Sequence, residues 1–358
     1  MEDMVIDHFW KDRKVLVTGH TGFKGSWLAL LLKQLGAETF GYALDPETKP
    51  SLFVEADLVK CCHHKVANVK DGKRLTEYVQ SIQPEVVFHL AAQPLVRRSY
   101  EEPVETWKTN VLGTVNLLES LRTIKLRCAV VIITTDKVYE NKEWHYGYRE
   151  TDQLGGHDPY SSSKAAVELA VASWRSSFLN YTSSEVRLAS ARAGNVIGGG
   201  DWSENRIVPD LVRHLSKGLV LPVRNLNAVR PWQHVLDPLY GYMNLAENLY
   251  NNNNQELQSA FNFGPGAESF RTVRSLIEEG LKHWQGKWEN NTLENAPHEA
   301  GLLNLTIDKA RSLLDWKPRW SFEEAVSNTI KWYHRHNQGE LAVKLMQEQI
   351  RAFLAVNQ

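Results

Sequence analysis

The run "KVLVTGHTGFKGSWLALLLKQLG", residues 14–36, leaves a chain few folds to choose from. Its opening residues suit a buried strand. Gly19, Gly22 and Gly25 then break the strand, and apolar residues resume at helical spacing until Gly36, a residue type that suits a helix end. The same alternation recurs along the chain. Strands read at "ETFGYALD", "PEVVFHLAA", "CAVVIITT" and "EVRLASARA", and weakly at "KVANV". Helices read at "GKRLTEYVQSI", over 106–123, and through "SSSKAAVELAVASWRSSF". Strands alternating with helices build a parallel sheet covered on both faces.

The expected fold class is therefore α/β, a Rossmann-type doubly wound sheet over residues 1–195. After Asn195 the pattern changes to the glycine-rich "VIGGGDWSEN" and to shorter helices punctuated by Gly, Asn, Pro and Trp. This predicts a smaller interleaved C-terminal lobe, residues 196–231 and 265–358, that binds substrate. Elements near 232–264 return to the sheet, and "SAFNFGP" reads as one more of its strands. "NNNN", residues 251–254, reads as an exposed loop tip.

Composition narrows the partners. A formal net charge of −1 provides no global field for nucleic acid or an anionic membrane. The 42% hydrophobic and 23% charged residues are those of a soluble globular protein. Cys61, Cys62 and Cys128 form neither a disulfide framework nor a CxxC pair, which fits a reducing cytoplasm. "MEDMVIDHFW" lacks the basic start and apolar core of a signal peptide. No apolar run approaches the ~18 residues that span a bilayer.

The glycine triplet sits where a dinucleotide's pyrophosphate can approach the backbone and the amide end of a helix. Asp45 lies twenty positions beyond Gly25, a usual distance for the acid that binds a ribose 2′-hydroxyl. A carboxylate there repels a 2′-phosphate, so the expected cofactor is NAD rather than NADP.

A second constellation follows the "CAVVIITT" strand. Thr135, Asp136 and Lys137 stand side by side at its carboxyl end, followed by "DPYSSSK", in which Tyr160 and Lys164 share one face of a helix start. A charged turn and a solvent-facing pair would account for each alone. Together, and after a glycine-rich start, they predict an acid, a base and a phenol over one reacting centre. An ammonium beside a phenol favours the phenolate, so Lys164 is expected to lower the pKa of Tyr160.

With these residues in place, the chain resembles the extended short-chain dehydrogenase/reductase family over nearly its full length. "HLAAQ" at His89–Gln93 and "NVLGTVNLLE" from Asn110 are similar to characteristic segments of that family. The resemblance implies a catalytic triad of Thr135, Tyr160 and Lys164. It implies cofactor contacts from Gly19, Thr21, Gly22, Phe23, Gly25, Asp45, Asn68, Leu90, Ala91 and Ala92, with Tyr160 and Lys164. Asn68 stands where the family has an acid at the end of the third strand.

Within the family, nucleotide-sugar 4,6-dehydratases carry Thr-Asp-Glu after the fourth strand, and epimerases lack the acidic pair. Here the triplet is Thr135-Asp136-Lys137. The resemblance implies that Tyr160 removes the sugar O4 proton as the C4 hydride leaves. A base then takes the C5 proton, Asp136 protonates the departing C6 hydroxyl, and hydride returns to C6. Lys137 is either that base or a charge that stabilises the enolate. The product would feed deoxysugars into a surface polysaccharide such as O-antigen.

On the substrate side, Asn195 resembles the family's sugar-diphosphate contact, and Arg206 and Arg230 can offer planar donors to a pyrophosphate. His89 and His234 have no metal-ligand neighbours at sensible spacing, so no metal is expected. "AAVELAVAS" after Tyr160 suits a helix-on-helix seam, so a homodimer or a dimer of dimers is expected. A 4-epimerase of the same fold and a non-catalytic nucleotide-binding regulator are the competing readings. The Asp136-Lys137 pair disfavours the first and the complete triad disfavours the second.

Overall fold

β1 (Lys14–Thr18) is the strand from which the central sheet grows to both sides. In the computed structural model, which describes residues 8–179, 184–291 and 302–356, the elements run as follows. Helix α1 (Phe23–Gln34) leads to β2 (Glu38–Ala43) and β3 (His63–Val66). Helix α2 (Gly72–Ile82), β4 (Val86–His89), α3 (Gly113–Leu121) and β5 (Cys128–Ile133) come next. Then follow α4 (Pro159–Trp174) and β6 (Val186–Ala193). The C-terminal part contributes α5 (Ile207–Leu215), α6 (Leu236–Asn251) and β7 (Ala260–Phe263). Helices α7 (Val273–Leu281), α8 (Asp308–Leu314), α9 (Phe322–Asn337) and α10 (Ala342–Ala355) close the chain.

The sheet order is β7-β6-β5-β4-β1-β2-β3, every neighbour parallel. This is the doubly wound order that the alternation predicts. Its pleat sorts side chains into two cores. Val15, Val17, Phe88 and Val131 face one layer, and Leu16, Val87 and Val130 the other. Both faces are buried, which is why these strands read as continuous apolar runs. Burial of each such side chain contributes about 1.5–3 kcal/mol. Strand order reverses between β1 and β4, where Thr18 pairs with His89. The crevice beyond that point is where open α/β sheets bind ligands.

Two boundaries differ from the sequence reading. The edge strand β3 lies at 63–66, ahead of most of "KVANV"; a half-exposed edge carries little apolar periodicity. The helix expected over 106–123 is three pieces: Pro103–Trp107, a π-turn at Lys108–Leu112, and α3. The π-turn buries Asn110, a polar residue with partners on two other elements.

Beyond β6 the chain adds three two-stranded ladders. Gln233–His234 pairs Val196–Ile197, Phe270–Thr272 pairs Val229–Pro231, and Trp288–Asn290 pairs Leu221–Val223. Helix α9 opens with a capping box, Ser321 with Glu324. β7 pairs β6 in register, Phe263 beside Ala193, and extends the main sheet. Residues 252–254 are exposed, as the "NNNN" reading expects. Among the described residues no helix is long and apolar enough to cross a membrane.

Candidate active site

The glycine-rich turn forms because the chain must pass between strands. Gly19 has φ +75, and a Cβ there would lie 2.6 Å from the Ala91 amide nitrogen. A Cβ on Gly25 would collide with the Gly19 carbonyl. Gly22 is the N-cap of α1 and supplies no side-chain cap, which leaves the first-turn amides available to an anion. Thr21 holds the turn to the second strand by donating from Oγ1 to the Leu44 carbonyl at 2.9 Å. Asp45 is exposed just beyond the end of β2. Asn68 follows β3; its Oδ1 accepts from the Lys70 amide at 2.9 Å, leaving its NH₂ end as the donor for a purine. Leu90, Ala91 and Ala92 follow β4 and are half-buried. These features fit a dinucleotide: close backbone approach, an open helix start and an exposed acid.

His89 is structural, as its lack of ligand neighbours suggests. Its Nδ1 pairs with Thr18 Oγ1 at 2.7 Å and its Nε2 with Thr114 Oγ1 at 3.0 Å. Burial and then Lys164 hold its pKa down at about 3. Asn110, missed as a site residue by the sequence reading, ties three elements. Its Oδ1 accepts from the Gln93 amide at 2.8 Å and its Nδ2 donates to Ser163 Oγ at 2.9 Å. Ser163 donates in turn to the Tyr160 carbonyl at 2.7 Å, and Ser99 Oγ accepts from the Tyr160 amide at 3.1 Å. The helix start bearing Tyr160 is thereby fixed from two sides.

β5 stops at Ile133, and a single turn of 3₁₀ helix, Asp136–Val138, carries the triplet. Thr135 Oγ1 donates to Asp136 Oδ1 at 3.0 Å and accepts from the Lys137 amide at 3.4 Å. Asp136 is 1% exposed and its Oδ2 has no hydrogen-bond partner among the described residues. Lys137 Nζ lies 3.8 Å from Asp136 Oδ1 and remains about one-third exposed, at 35%. An acid with a free buried oxygen thus stands beside an amine that reaches solvent.

Tyr160 is hydrogen-bonded to Thr135, and its pKa is pushed up to about 12. Burial is the main cause; Asp136 adds to it, while Thr135 and the Arg206 guanidinium oppose it. The sequence reading expected Lys164 to favour the phenolate. In the structure Lys164 Nζ instead donates to the Ile133 carbonyl at 3.1 Å, and burial outweighs the nearby cations. Lys164 is itself held down at about 8, by burial first.

Lys24 is the residue the sequence reading did not see. Within the glycine-rich turn it passes for a solvated helix residue, yet its amine reaches the reactive centre and lies 3.4 Å from the Tyr242 hydroxyl. Burial lowers its pKa to about 8, with Arg206 and Lys164 lowering it further and Asp136 raising it. Those interactions place Lys24, Asp136, Lys164 and Arg206 in one electrostatic cluster. Arg206 is anchored to Asp201 Oδ2 at 2.8 Å. Asn195 follows β6, and its carbonyl accepts from the Gln233 amide at 3.3 Å. Arg230 sits on the Val229–Pro231 strand opposite Arg271, two guanidinium groups at one register position.

Residues 16–329 match the family described as GDP-mannose 4,6 dehydratase. The chain belongs to the GDP-mannose 4,6 dehydratase family. CDP-glucose 4,6-dehydratase of Salmonella typhimurium is 45% identical over 342 residues, covering 94% of this chain and 95% of that one. dTDP-glucose 4,6-dehydratase of Xanthomonas campestris pv. campestris is 25% identical over 340 residues, covering 89% and 92%. Among solved structures, UDP-glucose 4-epimerase of Thermotoga maritima with UDP-glucose has a TM-score of 0.77 at 22% identity, covering 91% of this chain and 99% of that one. The dTDP-glucose 4,6-dehydratase of Bacillus anthracis in complex with NAD has a TM-score of 0.73 at 22% identity, covering 91% and 98%. These two share the doubly wound fold with this member of the GDP-mannose 4,6 dehydratase family.

Proposed function

We propose that the chain is an NAD-dependent hydro-lyase that converts CDP-D-glucose to CDP-4-keto-6-deoxy-D-glucose. The observation that carries the reading is Asp136: a carboxylate with an unpartnered buried oxygen, held beside Tyr160 through Thr135. An epimerase has no use for a proton donor at that place. The 45% identity to a CDP-glucose enzyme supports the choice of sugar nucleotide.

NAD, when bound, would supply the hydride acceptor for C4 oxidation and the hydride donor for C6. Gly19, Thr21, Gly22, Phe23 and Gly25 would hold its pyrophosphate, Asp45 its ribose hydroxyls, and Asn68 with Leu90–Ala92 its adenosine side. Tyr160, as the phenolate, removes the O4 proton, with Thr135 placing the hydroxyl and the Arg206 charge favouring the phenolate; Lys164, one turn further along α4, is held to the Ile133 carbonyl. The new ketone acidifies C5. Lys137 lies beside Asp136 and either takes the C5 proton or stabilises the enolate by charge. Asp136, in its protonated form, delivers a proton to the leaving C6 hydroxyl, and C5 regains a proton as hydride is added at C6, so the net reaction is loss of one water. Asn195, Arg206 and Arg230 hold the sugar diphosphate.

In this reading residues 1–195, with returning elements near 232–264, hold the cofactor, and 196–231 with 265–358 hold the nucleotide sugar. The protein works in the cytoplasm, and its product supplies deoxysugars for surface polysaccharide. Two copies, or a dimer of dimers, pair through the helix that carries residues 165–173, on which Leu169 is exposed. Incubation with CDP-glucose and NAD⁺ should give a product lighter by one water, with a C4 ketone by NMR. An unchanged sugar, or a product epimeric at C4, would remove the dehydratase reading. Faster turnover of another nucleoside diphosphate sugar would remove the CDP assignment.

A further inference from the structure

One turn beyond Lys164, on the same face of α4, a second ionisable side chain is buried that the reaction does not use. Glu168 is 4% exposed, and three donors converge on its carboxylate. Thr134 Oγ1 donates to Oε1 at 2.5 Å. Ser190 Oγ donates to Oε2 at 2.6 Å, and Arg192 Nη2 donates to the same oxygen at 2.9 Å. Thr134 directly precedes the Thr135–Lys137 triplet, and Ser190 and Arg192 lie on β6, so the carboxylate clamps α4 to two strands. A clamp of this kind needs only hydrogen bonds; a charged one buried at i+4 from a buried amine has a further consequence.

We propose that Glu168 is the positioning residue that keeps the active-site amine of Lys164 charged. The surroundings of Lys164 leave it short of negative charge. From α1 Lys24 faces it, from beyond β6 Arg206 adds a second cation to the cluster, and from β4 it is met by the uncharged His89. Asp136, on the turn after β5, is shared with Lys24 and Lys137. Tyr160 is one turn earlier on α4 and is neutral at rest. Burial drives the amine toward its neutral form, and Glu168 is the acid that opposes this. Glu168 is held ionised in turn: burial alone would raise its pKa, but Arg192 with Ser190 and Thr134 brings it below the ordinary range. Arg175, at the far end of α4, also feels its charge. The result is a line of alternating charge, Arg192, Glu168, Lys164.

The catalytic consequence rests on the dehydratase reading; the charge assignment does not, and the two are separable by experiment. Competitive labelling of the full-length protein with acetic anhydride over a pH series, read by peptide mass spectrometry, titrates the Lys164 amine without substrate. Glu168→Gln removes the charge and keeps the shape. A buried opposite charge one helical turn away favours the charged form of an amine, so the midpoint should fall by about one unit or more. Glu168→Asp keeps the charge and should restore most of the wild-type midpoint. In turnover with CDP-glucose, the alkaline limb of kcat should move to lower pH in Glu168→Gln, with KM little changed.

Should Glu168→Gln fail to fold with Arg192 left unpaired, the double variant Glu168→Gln, Arg192→Met removes both charges; because a cation is lost with the anion, its midpoint should fall by less than in the single variant, and a midpoint at or above that of the wild type would overturn the proposal. A wild-type midpoint in the folded Gln variant, or equal displacement in the Gln and Asp variants, would overturn the proposal and leave Glu168 a clamp only. Wild-type protein inactive on CDP-glucose, with the labelling midpoint moving as described, would overturn the substrate reading and leave the charge assignment standing.

Discussion

The Asp136 carboxylate is seated against Gly194: a Cβ at position 194 would lie 2.8 Å from Asp136 Oδ2 and 3.1 Å from Pro231 Cγ. Neither neighbour is a free side-chain end, since Asp136 is buried and tied to Thr135. The glycine is therefore what gives the Asp136 carboxylate its room, and on the proposed reading that carboxylate is the proton donor. Gly194→Ala should displace the carboxylate and slow turnover by about 10²-fold, the typical cost of misplacing a reacting group by an ångström. Overpacking should also cost about 1–3 kcal/mol of stability. C4 oxidation should survive, so 340 nm absorbance of reduced cofactor should build up on mixing with substrate. A Gly194→Ala enzyme with wild-type kcat would show that the carboxylate has slack.

On the proposed reading cofactor choice rests on Asp45, exposed past the end of β2. A carboxylate there repels a 2′-phosphate and binds a 2′-hydroxyl. Asp45→Ala should lower the ratio of the NADP⁺ and NAD⁺ dissociation constants by about tenfold or more, a change of about 1.4 kcal/mol. Calorimetric titration of both cofactors decides it. An unchanged ratio would move the discriminating contact elsewhere.

Lys164 burdens the fold it serves. Its amine titrates at about 8 in place of 10.5, chiefly from burial. Between those values the unfolded chain binds more protons than the folded one, so this group makes stability rise with pH through that window. Below about 8 the burial cost is fully present, about 3 kcal/mol by that shift. Lys164→Met removes the cost but strands the Ile133 carbonyl, at about 1–3 kcal/mol. The variant should be inactive, at least as stable as wild type at pH 7, and progressively less favoured as pH approaches 10. Urea unfolding of both proteins at pH 7 and pH 9.5 tests this; a difference that ignores pH would contradict it.

Much of this was legible in the chain because local rules govern it. The turn at Gly19–Gly25, the acid at Asp45 and the pair Tyr160–Lys164 are each written at short spacing, and a parallel sheet buried on both faces announces itself as apolar runs. What escaped depends on residues far apart. Lys24 meets Tyr242 across 218 positions, and nothing near either residue signals it. Asn110 works because a π-turn rotates it inward, an event that no periodicity of 3.6 predicts. The high pKa of Tyr160 is a balance of burial against cations, and burial at one atom is not a property of sequence. Gly194 reads as a loop residue until Asp136 is placed against it.

The division of labour between Asp136 and Lys137 is open to a direct test. The two side chains are adjacent, 3.8 Å apart, but differ in surroundings: one is buried with an oxygen that has no partner among the described residues, the other about one-third exposed. Asp136→Asn keeps the shape and removes the transferable proton. It should permit C4 oxidation and slow water loss by the ~10²–10⁴-fold typical of a general acid. Lys137→Met keeps the length of the stem and removes the amine. If Lys137 is the base, this variant should still oxidise C4 but should no longer exchange the C5 hydrogen with solvent, which NMR follows on C5-deuterated CDP-glucose. If Lys137 acts by charge alone, exchange should persist while the later steps slow, because the enolate loses a neighbouring cation. Near wild-type exchange therefore refutes the base role. Near wild-type exchange and turnover together would refute both roles, and would reduce the lysine to the partner that holds Asp136 in place.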